Sequence, residues 1–492
     1  MMWLRTVVLS LSCALCVMTA QATPITLGYV LHQVLQEQPS LALAALNESL
    51  QGVNEQQRAA LLDGQWGVAL NGSDEKKPSP SPFGSNITNL AVLSANISQP
   101  LADGSSITST LSYSRTRLRY PTTTSTFFRA SLNPVYESKI DVIYRYPLLQ
   151  GHGNPAYQQQ AQVNAWGEQA AHWQVAVQQE QLLGQAAAIY YQLAANEISV
   201  RIAEDAVHRV AQLLKYQRKR EAFGLVEAAD RLQTEALLAT RQASLVQAKA
   251  AIHSSRTTLQ RLLLLPDAPA SSWHTDTAAD TTWLSPILHS DGALLADAKR
   301  QRPIFHLLQA QVEAADAQDR VLQDQLRPQL NLIGQVGSRA LTGLSMRTTN
   351  DSFDLRDRYV GVGVEFKDTL GKHGTKAALA RNGLQREQVL LQHWQTIEQI
   401  RTDIATARTD LNNARQNYLA MQQRMKAERR KYDAELQRYR EGRSDTATIV
   451  QFSGDLRNAE LQAALQQITI ELARLRLHLA AGDILMALKN GT

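Results

Sequence analysis

The chain has only two cysteines among its 492 residues, Cys13 and Cys16, and both lie in a stretch with the pattern of a Sec signal peptide, residues 1–22. If that leader is removed, the mature chain begins at Thr23 and has no thiol. This excludes disulfides, thiol nucleophiles and thiolate metal sites. Lipid modification of one of the two cysteines is the alternative, but neither follows a typical lipobox.

The leader itself has three parts. Arg5 supplies a positive charge, residues 6–18 form a short apolar run, and Ala20-Gln21-Ala22 is a small-x-small cleavage site. Export from the cytoplasm is therefore expected.

Several other features are scarce. No later segment approaches the ~18 consecutive apolar residues of a membrane helix. Aromatic residues make up 6% of the chain, and no HExxH, GxSxG or glycine-rich phosphate loop occurs. The net charge of +5 is spread along helices among acidic residues, without a basic patch for nucleic acid. We expect no enzyme activity, no cofactor, no metal and no nucleic-acid partner.

An internal repeat is present. Pro39 in EQPSLALAALN corresponds to Pro303 in QRPIFHLLQAQ, and Trp66 corresponds to Leu330, both at an offset of 264 residues. Further along, the offset falls to 221, at which GHG beginning at Gly151 matches KHG. The first copy therefore carries 43 extra residues in its strand region, enough for one additional hairpin.

Long helices are predicted after each strand region. Residues 155–222 contain one proline, at the start, and almost no glycine, which corresponds to a rod of about 100 Å if it is straight. The second copy has an equivalent stretch, 375–441. Gly224 and Gly442 end these stretches and mark reversals into second helices. The helix faces are rich in Ala, Leu and Val, with Gln, Glu and Arg elsewhere; a plain structural coiled coil is the alternative.

Strands are predicted from strict alternation. Residues 139–148 and 358–366 place apolar side chains on one face, with polar residues and glycine on the other. Alternation over about ten residues in an exported chain is typical of barrel strands with one face to lipid and one to water. Pairing 106–118 with 139–148, and 329–340 with 358–369, gives four strands, which are too few to close a barrel.

Segments 67–71 and 90–101 form another predicted hairpin, and Asp103-Gly104 is a strong turn signal. Whether this hairpin joins the same sheet is left open by the sequence.

The repeated QxP/QRP helix starts, the junction YPLLQGHG and the paired helix turns resemble the TolC-type outer-membrane efflux proteins (outer membrane factors) over essentially all of the mature chain. The resemblance implies a fold that combines long helical coiled-coil hairpins with transmembrane β-hairpins. It implies a homotrimer in which three chains share a twelve-stranded barrel in the outer membrane and a helical tunnel across the periplasm.

The expected division of the mature chain has four parts. These are a first repeat, 23–265 (helices 24–63, strands 66–149, helical hairpin 155–265); an equatorial linker, 266–290; a second repeat, 291–481 (helices 291–326, strands 327–370, helical hairpin 375–481); and a C-terminal tail, 482–492.

The resemblance also implies roles for the two helix turns, which would form the periplasmic tip and contact an adaptor. The residues concerned are Gly224, Leu225, Val226, Gly442, Arg443 and Ser444. Gate positions fall on Asp230 and Tyr439, while Ser444 replaces the family's gating arginine. Arg443 is adjacent, so an Arg443–Asp230 latch is predicted.

One departure from the family concerns its ring of aspartates. The corresponding positions here are Thr448 and Gln451, so a carboxylate ring at the gate would have to use Asp445 or Asp455.

The function implied is that of a passive exit duct in a tripartite efflux pump or a type I secretion system. Its partners would be outer-membrane lipid, a periplasmic adaptor and an inner-membrane RND, ABC or MFS transporter. A non-transport periplasmic spacer or adaptor is the alternative.

Overall fold

A computed structural model describes residues 23–77, 84–122, 124–128, 130–225, 227–265, 273–276, 289–344, 351–352 and 357–485. The predicted leader, most of the predicted equatorial linker, Val226 and the end of the predicted tail lie outside these residues. Within them, no helix is both long enough and apolar enough to cross a membrane.

Eight helices are described, in the order α1 Leu27–Glu37, α2 Pro39–Ala59, α3 Pro155–Ala222, α4 Ala228–Leu263, α5 Asp291–Gln301, α6 Pro303–Gln325, α7 His373–Arg440 and α8 Thr446–Ala481. The eight described strands are β1 Thr23–Ile25, β2 Gln65–Lys76, β3 Ile87–Pro100, β4 Ser106–Arg119, β5 Val135–Pro147, β6 Trp273–Thr275, β7 Gln329–Thr342 and β8 Arg358–Lys367.

The described chain separates into two compact units. Of the described residues, the helical unit takes those within 23–43, 175–303 and 396–485, and the sheet unit takes those within 44–174 and 304–395. Each unit takes residues from both sequence repeats. The tandem repeats therefore differ from the compact units of the fold, because each long helix, α3 and α7, contributes residues to both units.

The core of the helical unit forms where α1, α3, α4 and α8 meet. Its fully buried members include Leu31, Tyr190, Leu259 and Leu475. The Tyr190 hydroxyl donates to the backbone carbonyl of Ile25 at 3.1 Å, which satisfies the polar end of a buried ring.

The start of the first predicted helix, at residue 24, is wrong. Thr23–Ile25 forms β1, which pairs in parallel with β6 (Thr23 opposite Trp273). The parallel ladder satisfies these backbone groups, and Thr26 then caps α1 by accepting from the Tyr29 amide.

A buried ion pair also lies in the helical unit. Arg302, at the end of α5, places its guanidinium 2.8 Å from Glu180 of α3. Burial raises the pKa of Glu180, and the Arg302 charge opposes that rise. Removing either partner would leave the other charged group buried without its counterion.

The sheet unit contains one six-stranded antiparallel sheet with the order β2-β3-β4-β5-β7-β8. The additional predicted hairpin is β2–β3, and it joins this sheet: Gln65 pairs with Ser98, and β3 continues onto β4. The expectation of four strands per chain is therefore too low. The 43 extra residues add one full hairpin to the same ladder.

The register gives the sheet one apolar face. Trp66 lies opposite Ile97, Val142 opposite Val336, and Val336 opposite Val360. Large side chains along this face are exposed on every strand, namely Trp66, Val68, Leu70, Leu93, Ile97, Ile107, Leu111, Val142, Tyr144, Leu332, Val336, Val360, Val362, Val364 and Phe366.

The opposite face is polar. Lys139 places its ammonium 2.5 Å from Asp141, and Gln335 donates to the same carboxylate at 3.0 Å. Arg145 pairs with Glu365 at 3.5 Å. The alternation predicted for 139–148 and 358–366 is thus confirmed in β5 and β8.

The turn between β3 and β4 is set by Asp103 and Gly104. Gly104 has φ of +86°, and its amide donates to the Leu101 carbonyl at 3.0 Å. A Cβ at Gly104 would lie 2.2 Å from the Gly151 carbonyl oxygen, so the GHG junction packs directly on this turn.

Gly104→Ala should destabilise the sheet by roughly 1–3 kcal/mol, because it adds left-handed strain to a clash with backbone. The matched control is Gly72→Ala in β2, where a Cβ would meet no atom within 4 Å. Denaturant unfolding followed by tryptophan fluorescence measures both. Equal unfolding midpoints for the two variants would contradict this account of the turn.

Candidate functional site

The two long helical hairpins reverse with the same backbone motif. At the first turn (223–226), the Gly224 amide donates to the Glu221 carbonyl and the Leu225 amide to the Arg220 carbonyl. At the second turn (441–444), Gly442 and Arg443 repeat both bonds. This is the Schellman pattern, and it requires the positive φ found at Gly224 (+71°) and Gly442 (+75°).

The first turn presents apolar side chains to solvent. Phe223 is 79% exposed and Leu225 is 62% exposed. Behind them, the hairpin is tied by an ion-pair chain in which Arg231 contacts both Glu221 (2.9 Å) and Glu235 (2.8 Å). Arg218 lowers the pKa of Glu235 first, and Arg231 adds to the effect. These pairs are on the surface, where salt weakens them.

The second turn rests on buried polar contacts, here called the turn cluster (Tyr216, Gln217, Arg220, Tyr439 and Thr446). Tyr439 is 3% exposed, and its hydroxyl lies 2.9 Å from the Gln217 amide nitrogen and 3.1 Å from the Thr446 hydroxyl. Gln217 donates to Thr446 as well, at 3.2 Å.

Two further contacts bind α3 to the end of α7 in the turn cluster. The Tyr216 hydroxyl donates to the Arg440 carbonyl at 3.2 Å, and Arg220 donates to the Tyr439 carbonyl at 3.1 Å. The carbonyls at the end of α7 are thereby satisfied by side chains of α3, as a helix C-terminus requires.

Two of the predicted gate residues, Arg443 and Asp230, make different contacts from the one predicted from the sequence. The Arg443–Asp230 pair is absent within the chain. Arg443 instead forms an ion pair with Glu441, and Asp230 lies in the first turn of α4 with no ion pair among the described residues. The reason is proximity: Glu441 is two residues from Arg443 on the same turn. Tyr439 is in contact with Gln217 of the other helical hairpin.

The candidate carboxylates of a ring both have partners within the chain. Asp445 caps α8 by accepting from the Thr448 amide at 2.7 Å. Asp455 lies 3.2 Å from the ammonium of Lys431, which also stacks over the Phe452 ring. Ser444 is half-buried at the second turn, and its hydroxyl faces the Asp445 carbonyl at 3.5 Å.

Sequence reasoning missed Gln217, Arg220 and Thr446, as well as a buried charge on α8. Glu460 is 8% exposed and is held between Arg209 (2.7 Å) and Arg429 (2.8 Å). The one sequence signal for Glu460 is its position on the small apolar face that includes Ala459 and Ala463. Within the described residues, no group of histidine, aspartate and glutamate is arranged to hold a metal ion.

An open groove lies beside the first turn, between α3 and α4. It has a volume of about 570 Å³. Ala211, Leu214, Ala222 and Leu238 supply its apolar lining, and the lysines and arginine along it are Lys215, Arg218 and Lys219.

No family model and no curated protein matches this chain. Solved structures do match it. The outer membrane protein VceC from Vibrio cholerae has 16% identity and a TM-score of 0.65, over 93% of this chain and 96% of VceC. The Campylobacter jejuni CmeC outer membrane channel has 13% identity and a TM-score of 0.64, over 99% and 98%.

The open state of the Neisseria gonorrhoeae MtrE outer membrane channel has 16% identity and a TM-score of 0.59, over 93% of this chain and 88% of MtrE. The chain has the fold of an outer-membrane channel. The resemblance to TolC-type proteins indicated by the sequence motifs is thus confirmed at the level of the fold. The matched proteins are described as outer-membrane proteins or channels.

The helix cap of Asp445 generates a pH prediction. The Thr448 backbone amide, and then its side chain, lower the pKa of Asp445. Stability from this cap is therefore complete above the ordinary aspartate pKa and is lost as pH falls through the lowered value. The protection of the first amides of α8 from hydrogen exchange, relative to the intrinsic rate at each pH, should fall over that acidic range.

Two variants distinguish the effect of the titratable charge of Asp445 from the effect of its hydrogen bond as a helix cap. Asp445→Asn keeps an accepting oxygen but cannot titrate, so exchange at the start of α8 should lose this pH dependence. Asp445→Ala should exchange faster already at neutral pH. If the Asp445→Asn protein keeps the wild-type acid transition, another group is responsible.

Proposed function

We propose that this protein is the outer-membrane exit duct of an export system. The observation that supports this most directly is the continuous apolar face of the six-stranded sheet. On one edge strand, Val360, Val362, Val364 and Phe366 are each about two-thirds exposed or more. An exposed apolar face of this extent needs a nonpolar environment.

The alternation on the sheet fits a membrane strand in detail. Apolar residues face one side, while Asp141, Lys139 and Arg145 face the other and pair with neighbours. This is the arrangement of strands with lipid on one face and water on the other. Location in the outer membrane, after export by the leader, follows as part of the proposal.

The helical unit supplies the rest of the duct. α3 and α7 each have 68 residues, and their surfaces are dominated by polar side chains and alanine. Such helices suit a water-filled periplasmic passage. The chain would work as a homotrimer, and an inner-membrane RND, ABC or MFS transporter of an efflux pump or type I secretion system would supply the energy.

The turns are the proposed contact for a periplasmic adaptor, through Gly224, Leu225, Val226, Gly442, Arg443 and Ser444. Exposed Phe223 and Leu225 and the neighbouring groove supply an apolar surface with cations at its margin. An adaptor helix with apolar and acidic residues would complement that surface. Lys215 and Lys219 make no ion pair among the described residues, so their charges remain available for such a partner.

A periplasmic spacer or adaptor is the alternative. The apolar sheet face argues against it, because a water-soluble spacer would expose that face to solvent at a high cost. An adaptor would also need a domain of its own between the helices, whereas the described strands form only the six-stranded sheet and the short β1–β6 pair.

A pair of lysine substitutions on β7 tests the membrane assignment. Val336→Lys places a charge on the proposed lipid face and should cost about 2–4 kcal/mol near the bilayer centre, reducing outer-membrane assembly. Gln335→Lys, the adjacent position on the polar face, places its charge beside Asp141 and should be tolerated. Membrane fractionation and planar-bilayer conductance measure both.

If the two lysine variants assemble and conduct equally, the apolar face is not in lipid. A wild-type protein that is a stable monomer in buffer without detergent would also overturn the proposed function.

The gate proposal is tested by conductance. Tyr439→Phe removes the hydroxyl that joins Gln217 and Thr446 and leaves buried polar groups without a partner, which typically costs about 1–3 kcal/mol. We expect a more open tip and higher single-channel conductance. Tyr418→Phe is the control, because its hydroxyl makes no hydrogen bond among the described residues.

Asp230→Ala and Arg443→Ala belong to the same experiment. Because Asp230 and Arg443 do not pair with each other within the chain, raised conductance in both variants would indicate that they act between copies. Unchanged conductance in Tyr439→Phe, Asp230→Ala and Arg443→Ala would remove the gate assignment.

A further inference from the structure

The six-stranded sheet has two open edges within the described chain. β2 pairs with β3 alone, and β8 pairs with β7 alone. Almost every residue of both edge strands is exposed, and the strands are 12 and 10 residues long. Long, flat, apolar edges of this kind leave a row of backbone donors and acceptors that must be paired, above all in a nonpolar environment.

The polarity of the edges fits pairing with a second copy. Each of the five strand neighbours in the sheet is antiparallel. With six strands, β2 and β8 therefore run in opposite directions. If β8 of one copy lies beside β2 of the next, the antiparallel pattern continues without interruption.

Two constraints set the register of that contact. Side chains alternate, so the apolar face is continuous only if the even-numbered residues of β8 lie opposite the even-numbered residues of β2. The strand ends that adjoin α6 and α7 are flush, because Gln329 lies opposite Lys367. A flush contact between copies places Lys367 opposite Gln65.

This register makes specific pairs. Val362 lies opposite Leu70, Val364 opposite Val68, and Phe366 opposite Trp66 of the next copy. At the other end of the strands, Arg358 comes opposite Asp74, a favourable cross-strand charge pair. The apolar pairs and the charge pair arise from the same register.

We propose that β8 pairs with β2 of a neighbouring copy in this register, so that each chain contributes six strands to a common barrel. The proposal rests on the trimeric membrane duct proposed above. Three copies then form eighteen strands, in place of the twelve implied by the family resemblance. Because barrel diameter grows roughly in proportion to strand number, the membrane section would be about 1.5 times wider than a twelve-stranded one.

Cysteine pairs test the register. The chain's only cysteines, Cys13 and Cys16, lie in the predicted leader, so introduced thiols are the only ones in a mature chain beginning at Thr23. Within one chain, positions 70 and 362 are five strand spacings apart, about 24 Å, which is too far for a disulfide or a short linker. A covalent link therefore reports contact between copies.

The Leu70→Cys/Val362→Cys protein, treated in outer membranes with copper phenanthroline or a short bis-methanethiosulfonate, should run as a covalent trimer on a non-reducing gel. Leu70→Cys/Phe366→Cys is the matched control. It uses the same two edges and the same face but is displaced by four residues, about 13 Å, and should remain monomeric on the gel. Each single variant should give no trimer.

Electron cryomicroscopy of the wild-type trimer in lipid nanodiscs counts the strands directly, and eighteen is the expected number. A barrel of twelve strands would overturn the proposal, and so would efficient cross-linking in the control pair without cross-linking in the test pair. Neither result would contradict the proposed duct function. If the wild-type protein is neither a trimer nor able to conduct ions, both the duct function and this proposal are overturned.

Discussion

Antiparallel hydrogen bonding fixes which side chains share a face, because each strand alternates and each neighbour must keep the same alternation. In this chain the ladder runs through six strands, from Gln65 opposite Ser98 to Gln329 opposite Lys367. A slip of one residue at any of the five contacts would move an entire strand's apolar set to the polar side. The register therefore determines whether the sheet has one continuous apolar face at all.

The polar face depends on the same register. The Asp141 carboxylate has an ion-pair partner and a hydrogen-bond donor because the register places Lys139 of β5 and Gln335 of β7 beside it. A carboxylate buried to this degree would be costly without such partners. The charges on this face thus reinforce the alignment that the apolar residues on the other face also require.

Much of this could be predicted from the sequence. The prolines at 39 and 303, the alternation at 358–366 and the glycines at 224 and 442 each specify local backbone geometry, and local geometry is what a pattern can encode. The number of strands in the sheet was not accessible in this way. The hairpin of 67–71 and 90–101 was recognisable, but its attachment to β4 is a contact that no local pattern specifies.

The turn cluster was missed for a similar reason. Gln217 lies in the polar run KYQRKR and reads as a solvated residue, yet it is fully buried because α7 and α8 pack over it. The β1–β6 pairing joins segments 250 residues apart, so neither segment alone indicates it. The predicted Arg443–Asp230 pair does not form within the chain, because Glu441 is closer to Arg443 along the sequence and pairs with it.

The two hairpin turns have the same backbone geometry but are stabilised by different side-chain contacts. Both close with the same pair of hydrogen bonds around a glycine. At the first turn the side-chain ties are surface ion pairs around Arg231, which salt screens and which water can replace. At the second, Tyr439 and Thr446 meet Gln217 out of water, so separating them leaves polar groups unpaired. Separating the second turn from α3 is therefore the more costly event, and any partner that separates them must compensate chiefly for the contacts of Tyr439.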